Sequence, residues 1–251
     1  MTNQGEKGHL HPLTHIIHEI RVIFGELGFE VAEGPEIETE FYNFDALNIP
    51  ADHPSRDMQD TFWLKPSANA AGSPDRSKSG LGLKKNERKL LRTHTSPVQI
   101  RYMEKHKPPL RIIVPGKVFR NEATDATHEA QFYHIEGLMV DKAVSLADLK
   151  GTLEYFFKKL FGPDVKIRFR PTFFSFVEPG VEVDVFFKDR WLEVIGAGMV
   201  HPNVFRAVGI DPTKWHGFAF GGGIDRLVMI KYGIPDIRLL YSGDLRLVNQ
   251  F

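Results

Sequence analysis

The sequence predicts an α+β fold, one antiparallel β-sheet with α-helices flanking it. Two observations carry that prediction. From Leu110 onward, extended segments follow one another across short turns, and two stretches show the three-and-four apolar spacing of amphipathic helices without a regular strand–helix alternation. At 251 residues the chain is long enough for one large domain or two small ones. With no internal repeat and no second core visible, a single domain over residues 1–251 is expected.

The first element is a helix over residues 12–27, where Leu13, Ile16, Ile17, Ile20, Ile23, Phe24 and Leu27 make one apolar stripe. Pro12 suits its first turn and Gly28 its C-terminal cap. GFEVAEGPEIE then runs extended to Pro35, which cannot sit inside a helix. Residues 65–89 are rich in Ser, Gly, Ala and Lys and lack apolar periodicity, so they read as a flexible basic surface insert without a catalytic role. The strands are LRIIVPGKVFR, QFYHIEGLMV, VKIRFRP, VEVDVFF and WLEVIGAGMV. Between the second and third lies SLADLKGTLEYFFKKLFG, a helix marked by Leu146, Leu149, Leu153, Phe156, Phe157, Leu160 and Phe161.

Composition excludes several classes. The chain has no cysteine, hence no disulfide framework and no thiolate zinc site, and its 11 histidines show no HExxH spacing. The N-terminus lacks the apolar run of a signal peptide and no stretch approaches the ~20 apolar residues of a membrane span, so a cytoplasmic location is expected. A formal charge of zero neither favours nor excludes a nucleic-acid partner. GLGLKK at 80–85 fits neither a P-loop nor a Rossmann turn, so a nucleotide would be bound another way.

The most informative stretch is FRNEATDATHEAQFYHIEG. Arg120 and Glu122 are two apart, as are Phe132, His134 and Glu136, and the polar run between them, with His128, reads as a hairpin loop. Folded so, polar groups converge where a half-buried strand would place apolar ones. Arg120 and His128 can neutralise phosphates, and Phe132 offers a face to a base. A plain cross-strand ion pair is the structural alternative for Arg120 and Glu122. In GFAFGGGIDRLVMIKYG, Gly221, Gly222 and Gly223 end a strand and open a helix that carries Arg226 in its first turn. This pattern suits an anion or a closely approaching ligand, or simply a tight turn. TFFSFVEPG places Phe174 and Phe176 on one strand face, followed by Glu178, and RTHTSP sets His94 and Ser96 two apart in the same way. Aromatics at that spacing are either core or the lining of a pocket for a flat apolar ligand.

Together these stretches resemble the class II aminoacyl-tRNA synthetases. GFEVAEGPEIE is similar to motif 1 (about 12–36) with Pro35 as its proline, FRNE with FYHIEG to motif 2 (about 117–137), and GFAFGGGIDR to motif 3 (about 217–232). The linking text FYNFDALNIPADHPSRDMQDTFWL, LLRTHTSPVQIRYM, WLEVIGAGMVHPNV and YGIPDIR resembles the alpha subunits of bacterial phenylalanyl-tRNA synthetases over nearly the whole chain.

The resemblance implies activation of L-phenylalanine by ATP, release of pyrophosphate and transfer to the 2′-hydroxyl of tRNA(Phe). It implies that Arg120 is the catalytic residue, holding the α-phosphate and the substrate carboxylate. Glu122 would contact the adenine side, His128 the β and γ phosphates, and Phe132 with Arg226 would sandwich the adenine. Phe174 and Phe176 would pack on the phenyl ring and Ala219 would floor its pocket. His94, Ser96, His134 and Glu136 would bind the amino acid's polar end, with Trp63 nearby, and Glu178 would hold Mg²⁺. It further implies a beta subunit in an alpha2beta2 heterotetramer. Editing would lie in that subunit, because a hydrophobic pocket rejects an added hydroxyl by only ~10²-fold.

Three departures stand out. His134 replaces the family's usual glutamine, the 65–89 insert is longer than usual, and the chain starts just before the motif 1 helix, where a coiled-coil arm that holds tRNA would precede it. Amino-acid activation is expected to tolerate these departures better than tRNA charging. A non-catalytic paralogue or scaffold subunit is the competing reading, disfavoured by the retention of Arg120, Glu122 and Arg226. A phosphoserine-using ligase is disfavoured by Phe174 and Phe176, which stand where basic groups would be needed.

Overall fold

The computed structural model describes residues 8–57, 60–65 and 88–251. Most of the 65–89 insert therefore lies outside the described residues. In chain order the elements are α1 (Pro12–Glu26), β1 (Glu30–Val31), β2 (Ile37–Thr39), α2 (Glu40–Asn43), β3 (Lys89–Leu91), α3 (Ser96–Lys105), β4 (Leu110–Phe119), β5 (Gln131–Asp141) and α4 (Leu146–Phe161). Then come β6 (Ile167–Phe174), β7 (Val177–Phe187), β8 (Arg190–Val200), α5 (Pro202–Ala207), β9 (His216–Gly223), α6 (Ile224–Tyr232) and α7 (Leu245–Val248).

The predicted helices form as α1, α4 and α6, and α1 has the expected ends. Pro12 opens α1, Gly28 follows it at φ +77°, and Ser145 with Asp148 closes a reciprocal capping box at the start of α4. Seven strands make the main sheet in the order β1-β4-β5-β9-β8-β7-β6, and β2 pairs with β3 separately. Among the described residues every strand pairing is antiparallel except β1 with β4, which is parallel over two residues, a departure from the all-antiparallel expectation. The short β1 reaches β4 directly from the helix α1, a connection that the turn-joined strands downstream do not share.

Apolar side chains collect on both faces of the sheet. On one face α1, α4 and α6 cover it, and Phe24 lies 4.9 Å from the ring of Phe156 and 5.2 Å from that of Phe220. On the other face Phe44, Leu90, Ile100 and Phe205 pack on Ile112, Leu138 and Val140. Strand periodicity alone conceals this division, because a strand buried on both faces reads as one apolar run. The motif 1 turn is tied to the sheet by buried Arg92, which donates to the carbonyls of Gly34 (3.0 Å), Pro35 (3.2 Å) and Lys117 (2.7 Å). Among the described residues no helix is long and apolar enough to cross a membrane.

Candidate active site

The second face of the sheet carries a cavity of about 600 Å³ above β5, β8 and β9, within the size range of small-molecule sites. The predicted hairpin forms it on one side. Phe119 pairs with Gln131, Val118 with Phe132, Gly116 with His134 and Val114 with Glu136, so Phe132, His134 and Glu136 face the cavity together. Arg120 continues that face. Its guanidinium stands 5.1 Å over the Phe132 ring, donates to the Thr93 carbonyl at 3.2 Å and lies 4.0 Å from Glu122. The ion pair and the cavity wall are thus the same residues. His128 lines the cavity from the loop, held by the Asp125 carboxylate, which also accepts the backbone N–H groups of Thr127 and His128.

Deeper in, Glu136 is buried among hydrogen-bond donors. It accepts from the Thr95 N–H (2.9 Å), the Gln99 amide (2.9 Å) and the Ser96 hydroxyl, and His134 Nδ1 lies 3.2 Å away. Burial alone would raise its carboxyl pKa, but the hydrogen bonding and charge of His134, with His94 and Ser96, outweigh it and hold the group below its ordinary value. A carboxylate is therefore fixed in the wall. Burial holds the neighbouring His94 imidazole down to about 4, so it is neutral at pH 7. Among the described residues neither ring nitrogen of His94 has a hydrogen-bond partner, and Nδ1 of His134 faces only Glu136. Buried orphan polar atoms are rare unless a ligand or water completes them.

The floor is made of small residues. Gly196 faces Gly221 and Gly198 faces Ala219 across β8 and β9. A Cβ on Gly196 would meet the Phe174 ring at 2.9 Å, and one on Gly221 would meet Glu136 Cγ at 2.7 Å. Of the three motif 3 glycines, 221 and 222 are required by packing, and only Gly223 has open space before it. Arg226 follows in α6 and donates to the Glu193 carbonyl at 3.0 Å.

Phe174 and Phe176 both line the cavity, but not from one strand face. Phe174 ends β6, Phe176 lies in the turn, and their rings stack at 5.5 Å because the hairpin folds one back beside the other. Likewise His94 precedes α3 and Ser96 begins it, so their spacing is not that of a strand. Trp63 stands outside the cavity wall. It bridges to Leu90, stacks under Arg88 at 3.8 Å and neighbours Phe44. Glu178 also lies outside, 78% exposed and 3.6 Å from His201, at the edge of a separate smaller depression. Among the described residues no group of three or more metal-ligating side chains occurs.

Four wall or support residues went unnoticed in the sequence: Gln99, Glu193, Asp225 and Tyr241. Burial raises the Glu193 carboxyl pKa, reinforced by Glu182 and opposed by Arg226. Asp225, beside Arg226, is 1% exposed, and burial pushes it up to about 6 against the hydrogen bonds from Tyr241 and Tyr133. A carboxyl that holds its proton more tightly when folded favours folding fully below the ordinary value of 3.8, and that advantage is lost as pH rises through about 6. The loss amounts to about 3 kcal/mol. Asp225→Asn should therefore gain melting temperature relative to the parent between pH 4 and pH 7. A difference that does not change with pH in thermal melts would contradict this.

Comparison with known proteins agrees with the geometry. The family model described as tRNA synthetases class II core domain (F) matches residues 1–251. Phenylalanine–tRNA ligase alpha subunits are among the similar curated proteins. That of Dehalococcoides mccartyi is 52% identical over 97% of this chain and 70% of its own length, and that of Synechocystis sp. is 51% identical over 98% and 68%. A crystal structure of pyrrolysyl-tRNA synthetase from Desulfitobacterium hafniense superposes with a TM-score of 0.66 at 19% identity, over 92% of this chain and 74% of that one, which shows the shared fold. A family model matched end to end and relatives half identical over nearly the whole chain agree, and the chain belongs to the class II tRNA synthetase core family, among the phenylalanine–tRNA ligase alpha subunits.

Proposed function

We infer that the chain is the catalytic alpha subunit of a phenylalanine–tRNA ligase, its whole length serving as one catalytic domain. The observation that carries the reading is the composition of one cavity. A buried carboxylate with His134 beside it and the unpartnered His94 imidazole adjoin stacked phenylalanines over a small-residue floor, with Arg120, Phe132 and Arg226 along the same wall. One end suits an amino acid with an aromatic side chain, and the other suits a nucleotide triphosphate.

In the reading, Glu136 faces the ammonium group, Arg120 holds the substrate carboxylate and the α-phosphate, and His128 reaches the outer phosphates. Phe132 and Arg226 flank the adenine, with Glu122 at its edge. A carboxylate oxygen of phenylalanine attacks the α-phosphorus, and the bond to pyrophosphate breaks. No side chain need act as acid or base, so catalysis is alignment and charge stabilisation. Magnesium arrives with ATP, and Mg²⁺ favours one or two carboxylates plus phosphates. Glu178, which the resemblance implies for it, lies outside the wall beside a separate depression, and Glu193 is one of several carboxylates on the wall that could hold it instead. Transfer to tRNA(Phe), a beta subunit in an alpha2beta2 assembly and a cytoplasmic setting complete the proposal, supported by the alpha-subunit relatives.

With ATP, magnesium and an equimolar mixture of amino acids, phenylalanyl-adenylate should be the dominant adenylate in mass spectra. Another adenylate in its place would overturn the reading. Ala219 lies on the floor between Leu138 and Gly198. Ala219→Gly should improve the use of para-substituted phenylalanines by at least about 10-fold relative to phenylalanine, the scale of one methyl group in an apolar pocket. An unchanged substrate range in exchange assays would remove Ala219 from the floor.

A further inference from the structure

The ladder between β5 and β9 ends at His134 and Gly223, where β9 leaves the sheet to become α6. β5 continues to Gln131 with β4 on one side only. On the open side the Tyr133 N–H would lose its partner, yet it donates to Asp225 Oδ2 at 2.7 Å. A side-chain carboxylate from the first turn of α6 thus stands in for the missing strand carbonyl. The residues flanking Tyr133 are Phe132 and His134, both in the cavity wall.

The other oxygen of Asp225 accepts the Tyr241 hydroxyl. Tyr241 directly follows the 3-10 turn Ile237–Leu240, and the Ile237 N–H donates to the Ala126 carbonyl at 3.0 Å, in the loop between β4 and β5. One C-terminal segment therefore grips the hairpin twice, at its base through Asp225 and at its loop through Ile237. Burying a carboxylate costs several kcal/mol unless each oxygen is satisfied, and here both are.

We propose that Asp225 and Tyr241 are positioning residues, a latch by which the C-terminal segment holds the motif 2 hairpin ready to receive ATP. The latch acts through Phe132 and the loop that bears Arg120 and His128, not by touching substrate, and it rests on the functional reading above. The phenylalanine end, built on Glu136, Ser96 and Gln99, is held by other bonds. Loss of the latch therefore separates the two substrates.

The test uses the chain together with its beta subunit, and varies ATP and phenylalanine separately in pyrophosphate exchange. Tyr241→Phe and Asp225→Ala should raise the KM for ATP about 10-fold, the scale of one hydrogen bond to a charged group, and leave the KM for phenylalanine within about twofold. Asp225→Asn, whose amide can accept from Tyr133 and donate to Tyr241, should restore the ATP KM to within about threefold of the parent. Hydrogen exchange over residues 120–133 should quicken in Tyr241→Phe, a readout that needs no activity. Should Asp225→Ala fail to fold, Tyr241→Phe decides alone, since it removes only a hydroxyl. Unchanged ATP KM and unchanged exchange in Tyr241→Phe, or equal rises in both KM values, would overturn the latch. A parent enzyme without phenylalanine-dependent pyrophosphate exchange, together with quickened hairpin hydrogen exchange in Tyr241→Phe, would instead count against the functional reading.

Discussion

Arg120→Ala should lower phenylalanine-dependent ATP–pyrophosphate exchange by about 10²–10³-fold, roughly 3–4 kcal/mol of transition-state stabilisation. Three observations place the effect there. The guanidinium is set by the Thr93 carbonyl and the Phe132 ring, it lines the cavity between the acidic pocket and the hairpin, and Glu122 lies beside it. Charge that develops at an α-phosphate would find no other arginine on the β4–β5 hairpin's share of the cavity wall. The loss should fall mainly on kcat, because a fixed cation helps most where charge grows. The variant should stay folded, since an alanine here leaves the apolar clusters intact. A variant with a parent-like kcat would remove Arg120 from the reaction.

Glu136→Gln should raise the KM for phenylalanine about 10²-fold, close to 3 kcal/mol, and leave the KM for ATP within a fewfold. Two losses combine. The ammonium group loses its buried counter-charge, and the amide must turn an N–H₂ either toward the Thr95 N–H or toward the Gln99 amide, both of which are donors. A buried donor facing a donor costs about 1–3 kcal/mol, so a lower urea midpoint should accompany the kinetic change. Equal effects on the two substrates, in separate titrations, would contradict the division of the cavity.

What was legible in the sequence was mostly what lies close together along it. α1 and α4 could be read because each carries its apolar stripe within one stretch, and Pro12 and Gly28 mark the ends of α1 there as well. The hairpin was legible because a side-chain period of two carries Phe132, His134 and Glu136 to one face. Long-range partners were not. Gln99 meets Glu136 across 37 residues, and Tyr133 meets Asp225 across 92. No local pattern marks either bond. Spacing also misled where the chain turns: Phe174 and Phe176 converge through a hairpin, and the two-residue step from His94 to Ser96 crosses into a helix. For the motif 3 glycines the sequence left a ligand approach and a tight turn both open, and two of them are small because Glu136 and the Val194 carbonyl lie against them.

The central claim is that this cavity joins phenylalanine to the α-phosphate of ATP. Pyrophosphate exchange by the chain with its beta subunit tests it most directly, with each amino acid supplied alone. Exchange should be driven by phenylalanine, by tyrosine at about 10²-fold lower efficiency, and at background by the rest. Exchange driven best by a small or charged amino acid would contradict the account, as would exchange that ignores which amino acid is present.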